Sequence, residues 1–393
     1  MTIGEKALLE LLNISAGKKS DFDFTSLTEE DWREVYRDSF YHSVVISAYD
    51  GTAKVSSVPQ KAREKWLAAV GKILLQNEKV RNNGKQLDSL LTKNKINYII
   101  LKGFSSAYYY PDPEKRQLGD IDFLVEGEDL ESAEALLISE GFEKSLEGHS
   151  HHTLFQKQGA DLEMHRVVAG MPDGRAGEVF SEFFEGASKK FTDEGFHNPI
   201  PEIHGAVILL HTIHHMTMDG LGLRHLMDFV YFVDKTANED FWQISLLPLL
   251  KNSGTLDFAA AITKTGAKYL KTACPDWAKE VPDSLCDDII FDIMSLGSFG
   301  RKNEERSAAG RMTVRSGKKG KLASAIHTLH RTMYTACPIL RKAPILYPFC
   351  FVYRIIKYLV LAACGKKKSV LKISAEADSR NKIYNQLHIF EVK

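Results

Sequence analysis

The stretch from Ile96 to Val125, INYIILKGFSSAYYYPDPEKRQLGDIDFLV, decides how the rest of the chain is read. It opens as a short apolar strand, turns at Lys102 and Gly103, passes through a tyrosine-rich helical turn from Ser105 to Tyr110, and closes on a second strand. In that second strand carboxylate and apolar residues alternate with period two. Asp120 and Asp122 therefore point to one face, and Ile121 and Phe123 to the other. Two neighbouring anions repel each other unless cations lie between them, and oxygen-only ligands at this spacing suit Mg2+ or Mn2+ rather than zinc.

A third carboxylate, needed to hold two metals, is offered by Ala160-Asp161-Leu162-Glu163-Met164-His165. Asp161, Glu163 and His165 share a strand face, and Glu163 has apolar neighbours on both sides, as Asp122 does. Alone, a strand ending in Asp-x-Asp is as readily a solvated strand end as a metal site. The combination is more specific: a strand, a glycine turn with small hydroxyls, Asp-x-Asp on a second strand, and a lone acid on a third. A helix that starts directly after Gly103 leaves unpaired backbone N–H groups where an anion such as a triphosphate can sit. Lys102 and Arg116 are placed to neutralise phosphate charge, as a point charge and a bidentate fork respectively, and surface solvation is the plain alternative for each.

This combination resembles the nucleotidyltransferase superfamily typified by DNA polymerase beta, with a Gly-Ser-like turn, Asp-x-Asp and a later isolated acid. Within it, Leu101-Lys102-Gly103, Arg116 ahead of Gly119-Asp120-Ile121-Asp122-Phe123-Leu124-Val125, and Glu163-Met164-His165 resemble the bacterial family called uncharacterised nucleotidyltransferases, from about Ala7 to Asp234. The resemblance implies that Asp120, Asp122 and Glu163 bind metal and carry catalysis. It also implies that Lys102, Gly103, Ser105, Ser106 and Arg116 contact an NTP such as ATP, and that NMP passes to a hydroxyl of a small-molecule acceptor with release of pyrophosphate. Here the usual Gly-Gly or Gly-Ser turn is Gly103-Phe104-Ser105, which leaves open which hydroxyl grips the phosphates. Two rival readings are a protein-modifying (AMPylating) transferase and a non-catalytic nucleotide-binding protein at a membrane surface. Retention of all three acids opposes the second, and the long helical C-terminal part mildly opposes the first.

Length allows two or three domains. Lys+Arg and Asp+Glu both number 51, so no global charge points to long nucleic acid. The five cysteines lack Cys-x-x-Cys spacing, which fits reduced thiols and a cytoplasmic protein. Met1 to Lys6 has no basic segment leading into an apolar run, so no signal peptide is expected.

The pattern predicts an α+β fold with an α/β-like core: a small mixed sheet flanked by an N-terminal helical cap and a larger C-terminal helical region. The division is 1–94, 95–200, 201–320 and 321–393. Helices are expected over 4–14, from a Thr28 cap carrying the stripe Trp32, Val35, Phe40 and Val44, and from about Pro59 to Thr92. Another runs from Asp129 to Glu140 and is capped by Gly141. The segment from about Arg166 to Pro201 reads as a flap over the site. Pro201 to Met218 and the stretch from Gly222 return to helical period.

The histidines raise further possibilities. His149, His151 and His152 suit a polar hairpin better than a zinc site, since no cysteine lies near. His211, His214 and His215 resemble a metalloprotease helix but lack its glutamate. In the resembled family this segment also carries histidines followed by an Arg and an Asp at the separation of Arg224 and Asp228. One reading is that these helices close over the nucleotide, with His165, His211 and Arg224 as candidate acceptor or base contacts. Arg224 and Asp228 also stand one helical turn apart and would form an ion pair. Arg301 to Lys321 reads as a mobile basic loop. Residues 343–368 combine apolar residues with Arg354, Lys357 and Lys366-Lys367-Lys368. They fit an interfacial helix, peripheral at the inner membrane face, or a helix packed on the core, and both readings stay open.

Overall fold

The computed structural model describes residues 1–392 except 146–150, 158, 193–195, 219, 304–305, 307–332, 334–336, 342 and 364–379. His149, most of the basic loop Arg301 to Lys321, the division at 320, and Lys366-Lys367-Lys368 lie outside the described residues.

Four helices precede the sheet: α1 (Ile3–Ser15), α2 (Glu29–Tyr41), α3 (Val45–Ala53) and α4 (Gln60–Lys93). Thr2 and Thr28 accept from the backbone N–H groups of Glu5 and Asp31, whose carboxylates answer the cap N–H groups, so two otherwise orphaned donors are satisfied at each start. The stripe expected from Trp32 to Val44 does not run through one helix. Ser43 adopts φ 56°, α2 stops before it, and Phe40 turns outward. α4 begins after Pro59, as its fixed φ favours, and runs for 34 residues. Its buried stripe is Trp66, Val70, Asn77, Val80, Gly84, Leu87 and Leu91.

The chain then forms β1 (Ile99–Ile100), α5 (Phe104–Ala107), β2 (Ile121–Leu124), α6 (Asp129–Ser139), β3 (Glu143–Lys144), β4 (His152–Lys157) and β5 (Ala160–His165). They make one mixed sheet of order β1-β2-β5-β4-β3. β2 runs parallel to β5, and the other pairs are antiparallel. One sheet face buries Ile121, Phe123, Phe155, Leu162 and Met164 against Val80, Leu87 and Leu91 of α4 and Ala133 and Leu137 of α6. Each such side chain contributes about 1.5–3 kcal/mol on leaving water. With that face covered, period-two alternation sends every acid of interest to the other.

Beyond the sheet come α7 (Gly174–Phe183), β6 (Phe191–Thr192), β7 (Asn198–Pro199), α8 (Pro201–Thr217), α9 (Leu223–Lys235), α10 (Glu239–Phe241), α11 (Leu247–Asn252), α12 (Leu256–Leu270), α13 (Asp276–Lys279), α14 (Asp283–Leu296) and α15 (Tyr347–Ala363). Phe180 and Phe184 belong to the large core, so the segment read as a flap is largely anchored, and among its described residues only Ala169 lines the cleft described below. That core also joins Leu8 and Leu11 of α1, Trp66 of α4, and the apolar sides of α8, α9, α12 and α14. On α15 and just before it, Ile345, Phe349, Val352, Tyr353 and Ile356 are exposed. No helix among the described residues is long and apolar enough to cross a membrane. A helix over 380–387 returns to the core: buried Arg380 donates to Asp292 Oδ2 at 3.2 Å and to the Met216 carbonyl at 2.5 Å, and Tyr384 donates to that carbonyl at 2.7 Å.

Candidate active site

Asp122 and Glu163 are register partners across the parallel pair of β2 and β5. One carboxylate oxygen from each of Asp120, Asp122 and Glu163 lies within 4.8 Å of the others. The three acids thus converge on the sheet face turned toward α8 and α9. Lys102 Nζ approaches Asp122 Oδ1 to 2.7 Å. His165 Nε2 lies 3.0 Å from the same oxygen and 3.5 Å from Glu163 Oε2.

The electrostatics follow from that crowding. The Asp122 charge, then burial, raises Asp120 to about 6. Burial acts the same way on Asp122, but the Lys102 ammonium and the His165 hydrogen bond outweigh it and hold Asp122 well below the carboxylate range. Burial opposes the charged forms of Lys102 and His165, yet the neighbouring carboxylates raise both. The Lys102 ammonium and the His165 hydrogen bond thus partly offset three acids. The donor set of oxygens under mutual repulsion fits a divalent ion such as Mg2+ or Mn2+.

The cleft is completed by Gly103, Gly119, Arg116, His151, His152, Ala169, His211, His214, His215, Arg224 and Phe299. Gly103 takes φ 72° and ψ −103°, a conformation that disfavours any side chain. Among the proposed nucleotide contacts, Lys102, Gly103 and Arg116 reach the cleft, whereas the two serines are buried elsewhere. Ser105 Oγ donates to the Ile100 carbonyl at 2.7 Å and lies 2.7 Å from the Asn198 side chain. Ser106 is buried as well and is not among the lining residues.

Arg116 grips Asp228 through two 2.7 Å hydrogen bonds, both partners being buried, and Tyr110 donates to the same carboxylate at 2.8 Å. The intrahelical pair expected between Arg224 and Asp228 is therefore replaced by one spanning the molecule. Arg224 donates to the Gln117 carbonyl at 3.4 Å, and its buried Nε has no hydrogen-bond partner among the described residues. His42, just past α2, accepts the Leu223 N–H on Nδ1 at 3.2 Å and the Arg224 N–H on its carbonyl at 3.3 Å, fixing the start of α9. His211 and His215 meet at 2.9 Å between Nε2 atoms, and His225 stacks on His215 at 4.3 Å. Burial first, then neighbouring positive charge, drives all three far below the usual histidine value, so these rings are neutral.

A family model described as "Uncharacterised nucleotidyltransferase" matches residues 28–270, more than half of the 393-residue chain. The chain belongs to that family. No curated protein and no solved structure matches this nucleotidyltransferase. The matched span begins at the α2 cap and ends with α12, so it contains all three acids and the helices facing them.

Sequence reasoning missed Asn77, which accepts the Leu118 N–H at 2.9 Å and donates to the Arg116 carbonyl at 3.1 Å. From α4 it clamps the loop leading into the Asp-x-Asp strand. A polar residue on the otherwise apolar stripe of α4 was the available signal. The pairing of Arg116 with Asp228 had no local signal.

Proposed function

We propose that this nucleotidyltransferase moves an NMP group from an NTP, ATP being the natural candidate, to a hydroxyl of a small-molecule acceptor, releasing pyrophosphate. The observation that carries the reading is the convergence of Asp120, Asp122 and Glu163 from adjacent strands onto one open cleft. Asp120, Asp122 and Glu163 would hold divalent cations, which supply phosphate charge neutralisation and acidify the acceptor hydroxyl.

The protein groups have separable tasks. Lys102 and Arg224 receive phosphate oxygens: the first flanks the acids, and the second lines the cleft with no carboxylate partner among the described residues. Arg116 organises rather than binds, because Asp228 occupies both arms of its fork. The Gly103 turn lets backbone approach the nucleotide closely. The acceptor oxygen attacks the α-phosphorus in line as the bond to pyrophosphate breaks, and Glu163 accepts the hydroxyl proton. His165 holds Asp122 and Glu163 in orientation.

The test is incubation of the full chain with Mg2+ and each labelled triphosphate, with and without cell extract. Pyrophosphate release is expected with extract, and its loss is expected in Asp120→Asn, Asp122→Asn and Glu163→Gln. Variants that release pyrophosphate at the parent rate would overturn the reading.

A further inference from the structure

We propose that the same cleft contains a cation site with nitrogen ligands, formed by His152, Glu163 and His165, which takes a borderline transition ion such as Mn2+, Co2+ or Zn2+ in preference to Mg2+. His152 is the register partner of His165 across β4 and β5, and Glu163 precedes His165 by one strand repeat. All three side chains therefore leave the sheet on one face. Their ligand atoms lie within 4.8 Å of one another. Glu163 Oε2 is 3.5 Å from His165 Nε2 and 4.0 Å from His152 Nδ1.

Donors at about 2.0–2.2 Å from one ion stand roughly 3 Å apart at a right angle and about 4.2 Å apart when opposed. Both separations to Glu163 fall within that range. His165 Nε2 hydrogen-bonds Asp122 Oδ1 at 3.0 Å, but its Nδ1 has no hydrogen-bond partner among the described residues, so the ring can carry its proton there and give the Nε2 lone pair to an ion in place of that hydrogen bond. Mounting on paired strands makes the donors rigid. Two imidazoles and a carboxylate select for borderline ions, whereas Mg2+ favours oxygen and retains water. The other imidazole group, His211, His215 and His225, is less suited. His225 Nδ1 accepts the Gly222 N–H at 3.2 Å, so its Nε2 carries the proton of the neutral ring and offers no lone pair.

This site shares Glu163 with the acid triad but does not depend on nucleotidyl transfer. Its test uses the full chain stripped with chelator, loaded with Mn2+ or titrated with Co2+, and without nucleotide. Expected are nitrogen hyperfine coupling to bound Mn2+ and Co2+ binding at least tenfold tighter than Mg2+. His152→Gln and His165→Gln should each weaken Co2+ binding by about tenfold or more and diminish the coupling. If His165→Gln fails to fold by circular dichroism, His152→Gln, nearer the opening, decides alone. Absence of nitrogen coupling in the parent, or coupling and Co2+ affinity unchanged in the folded variants, overturns the proposal. Pyrophosphate release with Mg2+ would survive that result, so the two readings fail separately.

Discussion

Arg116 and Arg224 line one cleft and differ in what answers their charge. Arg116 is locked to Asp228 in a buried pair, and removing one partner of such a pair leaves the other charge desolvated. Asp228→Asn should therefore lower unfolding stability by about 3–5 kcal/mol, read from urea midpoints. Arg224→Ala should leave stability nearly unchanged but weaken nucleotide binding at least tenfold by calorimetry. An unchanged nucleotide affinity would remove Arg224 from the phosphate site. Asp120 faces the open side of the cleft and repels Asp122, so Asp120→Asn should raise the melting temperature of the metal-stripped protein while abolishing transfer. At this scale the acids were legible because strand alternation fixes which side chains share a face. The carboxylate that holds Arg116 lies 112 positions away, beyond any local pattern, so the sequence did not show that its fork is occupied. Local spacing instead joined Asp228 to Arg224, whose guanidinium takes another direction.

Elements carry the next layer of control. α4 was legible almost to its ends from its apolar recurrence, and so were α8 and α9. The sheet register was not, because only tertiary packing determines that Asp122 meets Glu163. The segment after β5 was misread as a flap because its paired phenylalanines look like exposed loop aromatics until α11 and the large core are there to cover them. Two glycines show how the elements fix the turn between β1 and β2. A side chain at Gly103 would be strained at its φ of 72°, so Gly103→Ala should cost about 1–3 kcal/mol and lower turnover, as thermal melts and pyrophosphate assays can measure. Gly84 of α4 leaves room for Phe104, since a Cβ there would stand 2.7 Å from that ring. Gly84→Val should displace α5 and impair transfer more than its helix propensity suggests, whereas unchanged activity would show that the Phe104 contact does not position the turn.

For the whole molecule, buried neutral imidazoles set the response to acid. Burial lowers His42 and His204 to about 3, and His211, His215 and His225 shift the same way. Between pH 6.5 and 3 the unfolded chain therefore binds protons that the folded chain refuses. Stability is fully present above about pH 6.5 and declines as pH falls, by up to about 1.4 kcal/mol per unit for each fully buried histidine. Urea midpoints at pH 7.5 and 5.0 should differ accordingly, and equal midpoints would contradict the neutral, buried assignment. The C-terminal contacts are also global. Arg380 and Tyr384 answer the carbonyl of Met216 on the helix that supplies His211 and His215, and Arg380 shares Asp292 with Arg306. During synthesis, the ribosome releases β2 and β5 long before it releases residue 380. A nascent chain can therefore pair β2 with β5 early, whereas the hydrogen bonds that Arg380 and Tyr384 give to the end of α8 are among the last that translation makes available.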